Sequence, residues 1–317
     1  MNPIPHRPQE HALAHFHALA EVPAESEWFL NITNANTRRA YKRDILEFML
    51  FNGIDSPQQF REVARIHVIT WRDELRRRDM AAATINRKLS ALASLFDYLC
   101  DKNTVSHNPV DGVTRPRVDI TGKTPALSDD QAQRLLAAPD TNTLKGIRDR
   151  AILAALLYHA LRREELCKLT TDDMQLNRGN WYFRVTGKGE KARLLLVHPV
   201  AIQSIQHYLE IAGHRSDLNT PLFRSFQGKS GKQLDTHINP ASIYRFIVLP
   251  YAKQAGVYAR GVGPHALRAT AATSALDHGA DIASVQEWLG HANIDTTRRY
   301  DRRNMKPEHS PALKVGY

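Results

Sequence analysis

HALRATAATSALDHGADIASVQEWLGHANIDTTRRY, residues 265–300, is the stretch around which the rest of the chain is organised. Four of its side chains can reach one phosphate: His265, Arg268, His291 and Tyr300, separated by 3, 23 and 9 residues. His265 and Arg268 stand at i, i+3 and share one helix face. Pro264 before them suits a first helical turn, where unpaired backbone N–H groups favour an anion. A second helix is expected to begin near Asp281, a good N-cap, with Ile282, Val285, Trp288 and Leu289 as its apolar stripe. Gly290 is a natural terminating residue, so His291 emerges from a helix end. Asp295 is expected to cap a short final helix carrying Tyr300.

Working back from that stretch, Ile243, Phe246 and Ile247 suggest a helix leading into it, and Ile202, Ile205 and Leu209 suggest another. Residues 224–235, rich in Gly, Lys and Ser, read as a loop. Residues 181–197 read as a β-hairpin: Trp181, Phe183 and Val185 alternate, GKGEK turns, and Leu194 to Val197 return. Lys188 sits in that turn. The string contains no GxxxxGK[ST], so nucleotide hydrolysis is not indicated. Further back, residues 151–157 are almost wholly apolar and form a buried helix that breaks at His159–Ala160, before LRREELCKLTTDDM. Ser128 and Gln131 make a capping-box pattern at the start of this half. Asp172 and Asp173 are adjacent, and in an extended segment they point apart, which makes them poor metal ligands.

The first half is helical throughout. Asn36 or Thr37 is expected to cap a helix with Tyr41, Ile45, Phe48 and Met49 on one face, closed by Gly53. Its other face holds Arg38, Arg39, Lys42 and Arg43. Trp71 and Leu75 belong to another helix. Residues 84–99 place Ile85, Leu89, Leu92, Phe96 and Leu99 at helical spacing, with Arg87 and Lys88 near the start. These cations are either solvated helix faces or a nucleic-acid surface. Residues 1–23 read as a loose leader. Residues 114–124, TRPRVDITGKT, read as a basic linker.

At 317 residues with 42% hydrophobic composition, the chain can hold two domains with real cores. A formal net charge of +10 suits a polyanion partner. Two cysteines, Cys100 and Cys167, supply no disulfide framework and no zinc pattern, which points to a reducing cytoplasm. No window of about 18 apolar residues suggests a membrane span.

HxLR, then LGH, then TTxxY resembles the active-site box of the tyrosine recombinases, also called the phage-integrase family. LRREEL resembles the family's first arginine box, usually GLRxxEL. Ala160 replaces the usual glycine. The turn lysine, Lys188, resembles the family's β-hairpin lysine. The resemblance implies a mainly α fold with a small antiparallel β-sheet, in two domains that clamp DNA. Residues 24–113 would be the helical core-DNA-binding domain, 125–305 the catalytic domain and 306–317 a tail. It implies a catalytic set of Arg162, Lys188, His265, Arg268, His291 and Tyr300, with Glu165 as a structural neighbour of Arg162. Arg163 is the rival arginine, and Ala269 stands where many members have histidine. Arg38, Arg39, Lys42, Arg87, Lys88, Lys191 and Arg193 are the expected DNA contacts. Neither metal nor cofactor is implied. The partners would be double-stranded DNA, a homo-tetramer on two DNA sites, and accessory DNA-bending proteins.

The chemistry explains these residue types. A phenol with a pKa near 10 is ionised in roughly one molecule in a thousand at neutral pH, so a tyrosine nucleophile needs a base or a positive field. Two forked guanidinium groups suit the non-bridging oxygens of a phosphate. A lysine can return a proton to the departing sugar oxygen. Two alternatives stay open: a DNA-relaxing enzyme resembling type IB topoisomerases, and a DNA-binding architectural protein with an inert site.

Overall fold

A computed structural model describes residues 24–118, 125–187, 192–228 and 231–301. The chain divides into two compact units, with the boundary between Thr121 and Gly122.

Among the described residues the first unit contains four α-helices, α1 (Ala24–Asn31), α2 (Ala35–Asn52), α3 (Arg65–Arg77) and α4 (Ala82–Asp101), with a 3-10 helix at Pro57–Glu62. Asn34, two residues before the expected Asn36 and three before Thr37, caps α2: its side chain accepts from the backbone N–H groups of Asn36 and Thr37. Gly53 ends the helix at φ +67°, a conformation that only glycine adopts without cost. Phe48, Trp71, Leu75, Leu89, Leu92 and Phe96 close a core in which the Phe48 and Trp71 rings meet edge-on at 5.1 Å. Aromatic pairs in that arrangement add to what area burial alone supplies.

The second unit is built on α6 (Leu144–His159), whose residues 151–156 are fully buried. A helix apolar on every side must be covered on every side. Here α5 (Asp129–Ala137), α8 (Pro199–Ile211) and α10 (Pro264–Asp277) pack against it. The Ser128 capping box of α5 is present. The expected hairpin is the second half of a three-stranded antiparallel meander: β1 (Met174–Asn177), β2 (Asn180–Thr186) and β3 (Ala192–Leu196). Phe183 pairs with Leu195, and both point into the core. β1 escaped sequence reading because a four-residue strand shows too little alternation to register. Residues 224–235, expected as a loop, instead form most of a second antiparallel pair, β4 (Arg224–Gln227) and β5 (Lys232–His237). The pair is mostly polar and none of its residues is buried, so it carries no apolar period to read. Residues 240–254 form a continuous helical stretch, α9, with a π-helical turn at Ile243–Val248 just before Pro250. The fold is mainly α with small antiparallel sheets. Among the described residues no helix is long and apolar enough to cross a membrane.

Candidate active site

Three helix boundaries of the second unit form the site. The first is the C-terminus of α6. Ala160 sits there at φ +49°, in the left-handed region expected for the glycine it replaces, and its methyl group is fully buried. The reversal leads directly into α7 (Arg163–Lys168), with Arg162 at the N-cap. Glu165 reaches back one turn: its Oε2 accepts the Arg162 backbone N–H at 2.8 Å and its Oε1 accepts Nη1 of Arg162 at 2.7 Å.

The second boundary is the start of α10, where Pro264 occupies the first turn and His265 and Arg268 follow on one face. Arg268 is only 3% exposed, yet no carboxylate touches its guanidinium among the described residues. Its Nη1 donates to the Ala160 carbonyl, and its Nη2 donates to the Leu289 carbonyl at 2.6 Å. Burial, and then the Arg162 charge, lower its pKa to about 10, so it stays cationic at neutral pH.

The third boundary is the end of α11 (Ile282–Leu289). Asp281 caps its start as expected, and Gly290 terminates it at φ +64°. The helix-end carbonyls of Leu289 and Gly290 accept from the two arginines, with Arg162 Nη2 lying 3.2 Å from the Gly290 oxygen. His291 follows. Its Nε2 lies 3.0 Å from Arg268 Nη2, which can only donate, so this nitrogen is an unprotonated acceptor. The Nδ1 therefore carries the proton and donates to Thr297 Oγ1 at 3.0 Å. Burial, then Arg268 and Arg162, drive the pKa of His291 down to about 4. His265, exposed at the cavity rim, is lowered by the same three causes in the same order.

Tyr300 follows the short helix α12 (Ile294–Arg298). Asn293, and not Asp295, caps that helix, accepting from the Asp295 N–H. The Tyr300 ring is 5% exposed and lies 6.0 Å from the His291 ring at 29°. Its backbone oxygen accepts from Thr273 Oγ1 of α10, which ties the tyrosine segment to the helix that carries Arg268.

Arg162, His265, Arg268, His291 and Tyr300 thus line one cavity of about 550 Å³, together with Arg163 and Arg299. The rival Arg163 is paired with Glu164 at 2.7 Å. Lys188 and Lys191 lie outside the described residues.

The cations expected at DNA divide sharply. Arg39 and Lys42 are exposed. Arg38 is half-buried and donates from Nε to the Ile32 carbonyl at 2.8 Å, closing the end of α1. Arg87 is paired with Asp44. Lys88 requires a correction: it is 3% exposed, its Nζ lies 3.1 Å from Asp44 and 2.5 Å from Glu47, and it serves as a core counter-ion. A buried carboxylate demands such a partner. Arg193 requires another: its guanidinium grips Glu165 with both prongs, at 3.0 and 2.9 Å, and faces the interior. Asp172 and Asp173 are structural acceptors for Asn219 N–H and Thr170, and no metal-binding group of acids, histidines or cysteines occurs among the described residues.

Sequence comparison identifies this arrangement. Residues 125–306 match the phage integrase family, and residues 30–103 match the N-terminal SAM-like domain of phage integrases. The chain belongs to the phage integrase family, the tyrosine recombinases, and is a DNA breaking-and-rejoining enzyme of that class. It is 32% identical over 274 residues to tyrosine recombinase XerD of Listeria monocytogenes serotype 4b (strain F2365), covering 84% of this chain and 88% of that one. It is 34% identical over 280 residues to tyrosine recombinase XerC of Thermodesulfovibrio yellowstonii, with 86% and 87% covered. Two solved structures share the fold. XerH site-specific recombinase in a post-cleavage complex with palindromic difH substrate has a TM-score of 0.66 at 21% identity, covering 83% of this chain and 75% of that one. A lambda integrase (75–356) dimer bound to a COC' core site has a TM-score of 0.67 at 16% identity, covering 89% and 94%.

Proposed function

We propose that this protein recombines double-stranded DNA at defined sites through a 3′-phosphotyrosyl link to Tyr300. The phenol oxygen attacks the scissile phosphate, the P–O bond to the 5′ oxygen breaks, and a 5′-hydroxyl leaves. A 5′-hydroxyl from the partner duplex then attacks the same phosphorus and releases the tyrosine. The link conserves the phosphodiester's energy, so no ATP is consumed.

Arg162 and Arg268 hold the non-bridging oxygens and offset the charge that grows on them. Fixed donors in a dry site are worth roughly 3–4 kcal/mol each in the barrier. They supply the electrophilic assistance that a metal ion provides elsewhere. His265 and His291 hydrogen-bond the phosphate and handle protons. Neutral His291 accepts from Arg268 at Nε2, and an anion beside it raises its affinity for a proton. Lys188 protonates the 5′ oxygen. Arg39 and Lys42 are the exposed cations of the first unit suited to flanking phosphates, and the two units together clamp the duplex. Four protomers on two sites exchange four strands, with accessory DNA-bending proteins where the sites need them. Both cysteines are free, which fits a reducing cytoplasm.

The observation that carries this reading is the convergence of Tyr300 on the two guanidinium groups within one cavity of one chain. The test is an SDS-resistant adduct between the full chain and a nicked duplex, expected with the parent protein and absent for Tyr300→Phe. Deletion or inversion of a two-site plasmid supports recombination. Relaxation without exchange would assign a topoisomerase-like activity instead.

A further inference from the structure

Arg193 carries a role that its place in a basic hairpin conceals. Its side chain is 18% exposed, and both terminal nitrogens are committed to Glu165. Its Nε is buried and meets no acceptor among the described residues. Two of its five N–H groups are thus spent on Glu165, and the guanidinium is turned to that carboxylate and largely buried.

The carboxylate it grips is the one that directs Arg162. Glu165 Oε1 accepts from Nη1 of Arg162 at 2.7 Å and from Nη1 of Arg193 at 3.0 Å. Its Oε2 accepts from the Arg162 backbone N–H at 2.8 Å and from Nη2 of Arg193 at 2.9 Å. A carboxylate has about four acceptor positions, and all are filled. Such a group cannot rotate without breaking a charge-assisted bond. Burial raises the Glu165 pKa, but the hydrogen bonds from Arg193 and Arg162 overcome it and hold the group at about 2, so it is ionised at any working pH.

Two consequences follow for Arg162. With Glu165 as its sole partner it would form a neutral pair, whereas one carboxylate shared between two arginines leaves a net positive charge. The direction of Arg162 is also tied to the sheet, because Arg193 lies on β3 opposite the buried Val185. The Arg193 guanidinium also lies close to Gly290. The position a Cβ would take on Gly290 lies 3.4 Å from Nη1 of Arg193, and the Gly290 carbonyl accepts from Arg162.

We propose that Arg193 is a positioning residue for the cleavage step: it clamps Glu165 so that Arg162 points into the cavity with its charge uncancelled. This rests on the proposed function, in which Arg162 holds the scissile phosphate.

The test uses the full chain and single-turnover cleavage of a nicked duplex. Arg193→Lys keeps the charge but loses the two-pronged grip. Cleavage is expected to slow roughly 10- to 100-fold, the scale of a small misplacement of a reacting group. Duplex affinity and its salt dependence stay those of the parent. Arg193→Gln removes the charge, and a salt slope reduced by about one in that variant would show a direct phosphate contact and overturn the proposal. On a substrate whose scissile phosphate carries a methyl group in place of one non-bridging oxygen, less charge needs neutralising. The Arg193→Lys deficit should shrink there in parallel with that of Arg162→Ala. An equal deficit on charged and neutral substrates would reduce Arg193 to a general folding role.

Glu165→Gln with Arg193→Gln leaves no buried charge unpaired and guards against a folding failure. Its defect should not exceed the larger single defect, because both changes dismantle one clamp. Multiplying defects would refute the coupling. The parent's adduct, and its loss in Tyr300→Phe, report separately on the underlying reading.

Discussion

Asp44 with its two cations, and the cavity around Arg268, are both places where positive side chains are buried, and they are built in opposite ways. In the first unit Lys88 and Arg87 converge on Asp44, which is fully buried, while Lys88 also meets Glu47. Charge is cancelled by charge. In the second unit Arg268 is just as deeply buried, but two backbone carbonyls and a neutral imidazole hold it. Those acceptors fix the guanidinium without neutralising it. Arg162 lies between the two cases, with one carboxylate shared with Arg193 and one carbonyl. An ion pair closed on itself holds a fold together. A cation oriented by dipoles keeps a field available for an anion.

The comparison breaks first at Arg268. Arg268→Lys retains the charge but cannot span the Ala160 and Leu289 carbonyls. Single-turnover cleavage should fall about 100- to 1000-fold, as for the loss of one fixed donor to a transition-state oxyanion. A loss below tenfold would mean that this guanidinium does not meet the phosphate. Asp44→Ala should have the opposite profile. It leaves buried Lys88 short of a partner and should cost about 3 kcal/mol in chemical denaturation. Cleavage per folded molecule should hold.

A finer test separates exposed from spent cations. Arg39→Ala should lower the salt slope of duplex binding by about one, while Lys88→Met should leave it unchanged. The smallest effect belongs to Ala160. At φ +49° an alanine is strained, and Ala160→Gly should stabilise the protein by about 0.5–1 kcal/mol, read as a modest rise in melting temperature. A drop would mean that the buried methyl group contributes more than the strain costs.

The legible parts of the molecule are those with local causes. The apolar periods of residues 84–99 and 151–157, the Ser128 capping box, the Asp281 cap and the terminating Gly290 all depend on neighbours within one or two turns. Cap positions slipped where several candidates stood together: Asn34 displaced Asn36 and Thr37 at α2, and Asn293 displaced Asp295 at α12. Of the six expected site residues, the four within residues 265–300 meet in the cavity together with Arg162, and Lys188 lies outside the described residues. Thr297, which sets the tautomer of His291, was not anticipated. The TTxxY run that contains it offered the only local signal.

Residue order and spacing alone determined the helical class, the ordered boxes of arginine, histidine and tyrosine, and the family they resemble, because caps, periods and motif spacings act over a few residues. Only the tertiary structure decided which cations are free. Lys88 and Asp44 lie 44 residues apart, and Arg193 and Glu165 lie 28 apart. Whether a lysine or arginine meets a carboxylate, a carbonyl or water depends on which chain segment packs over it, and no local pattern encodes that.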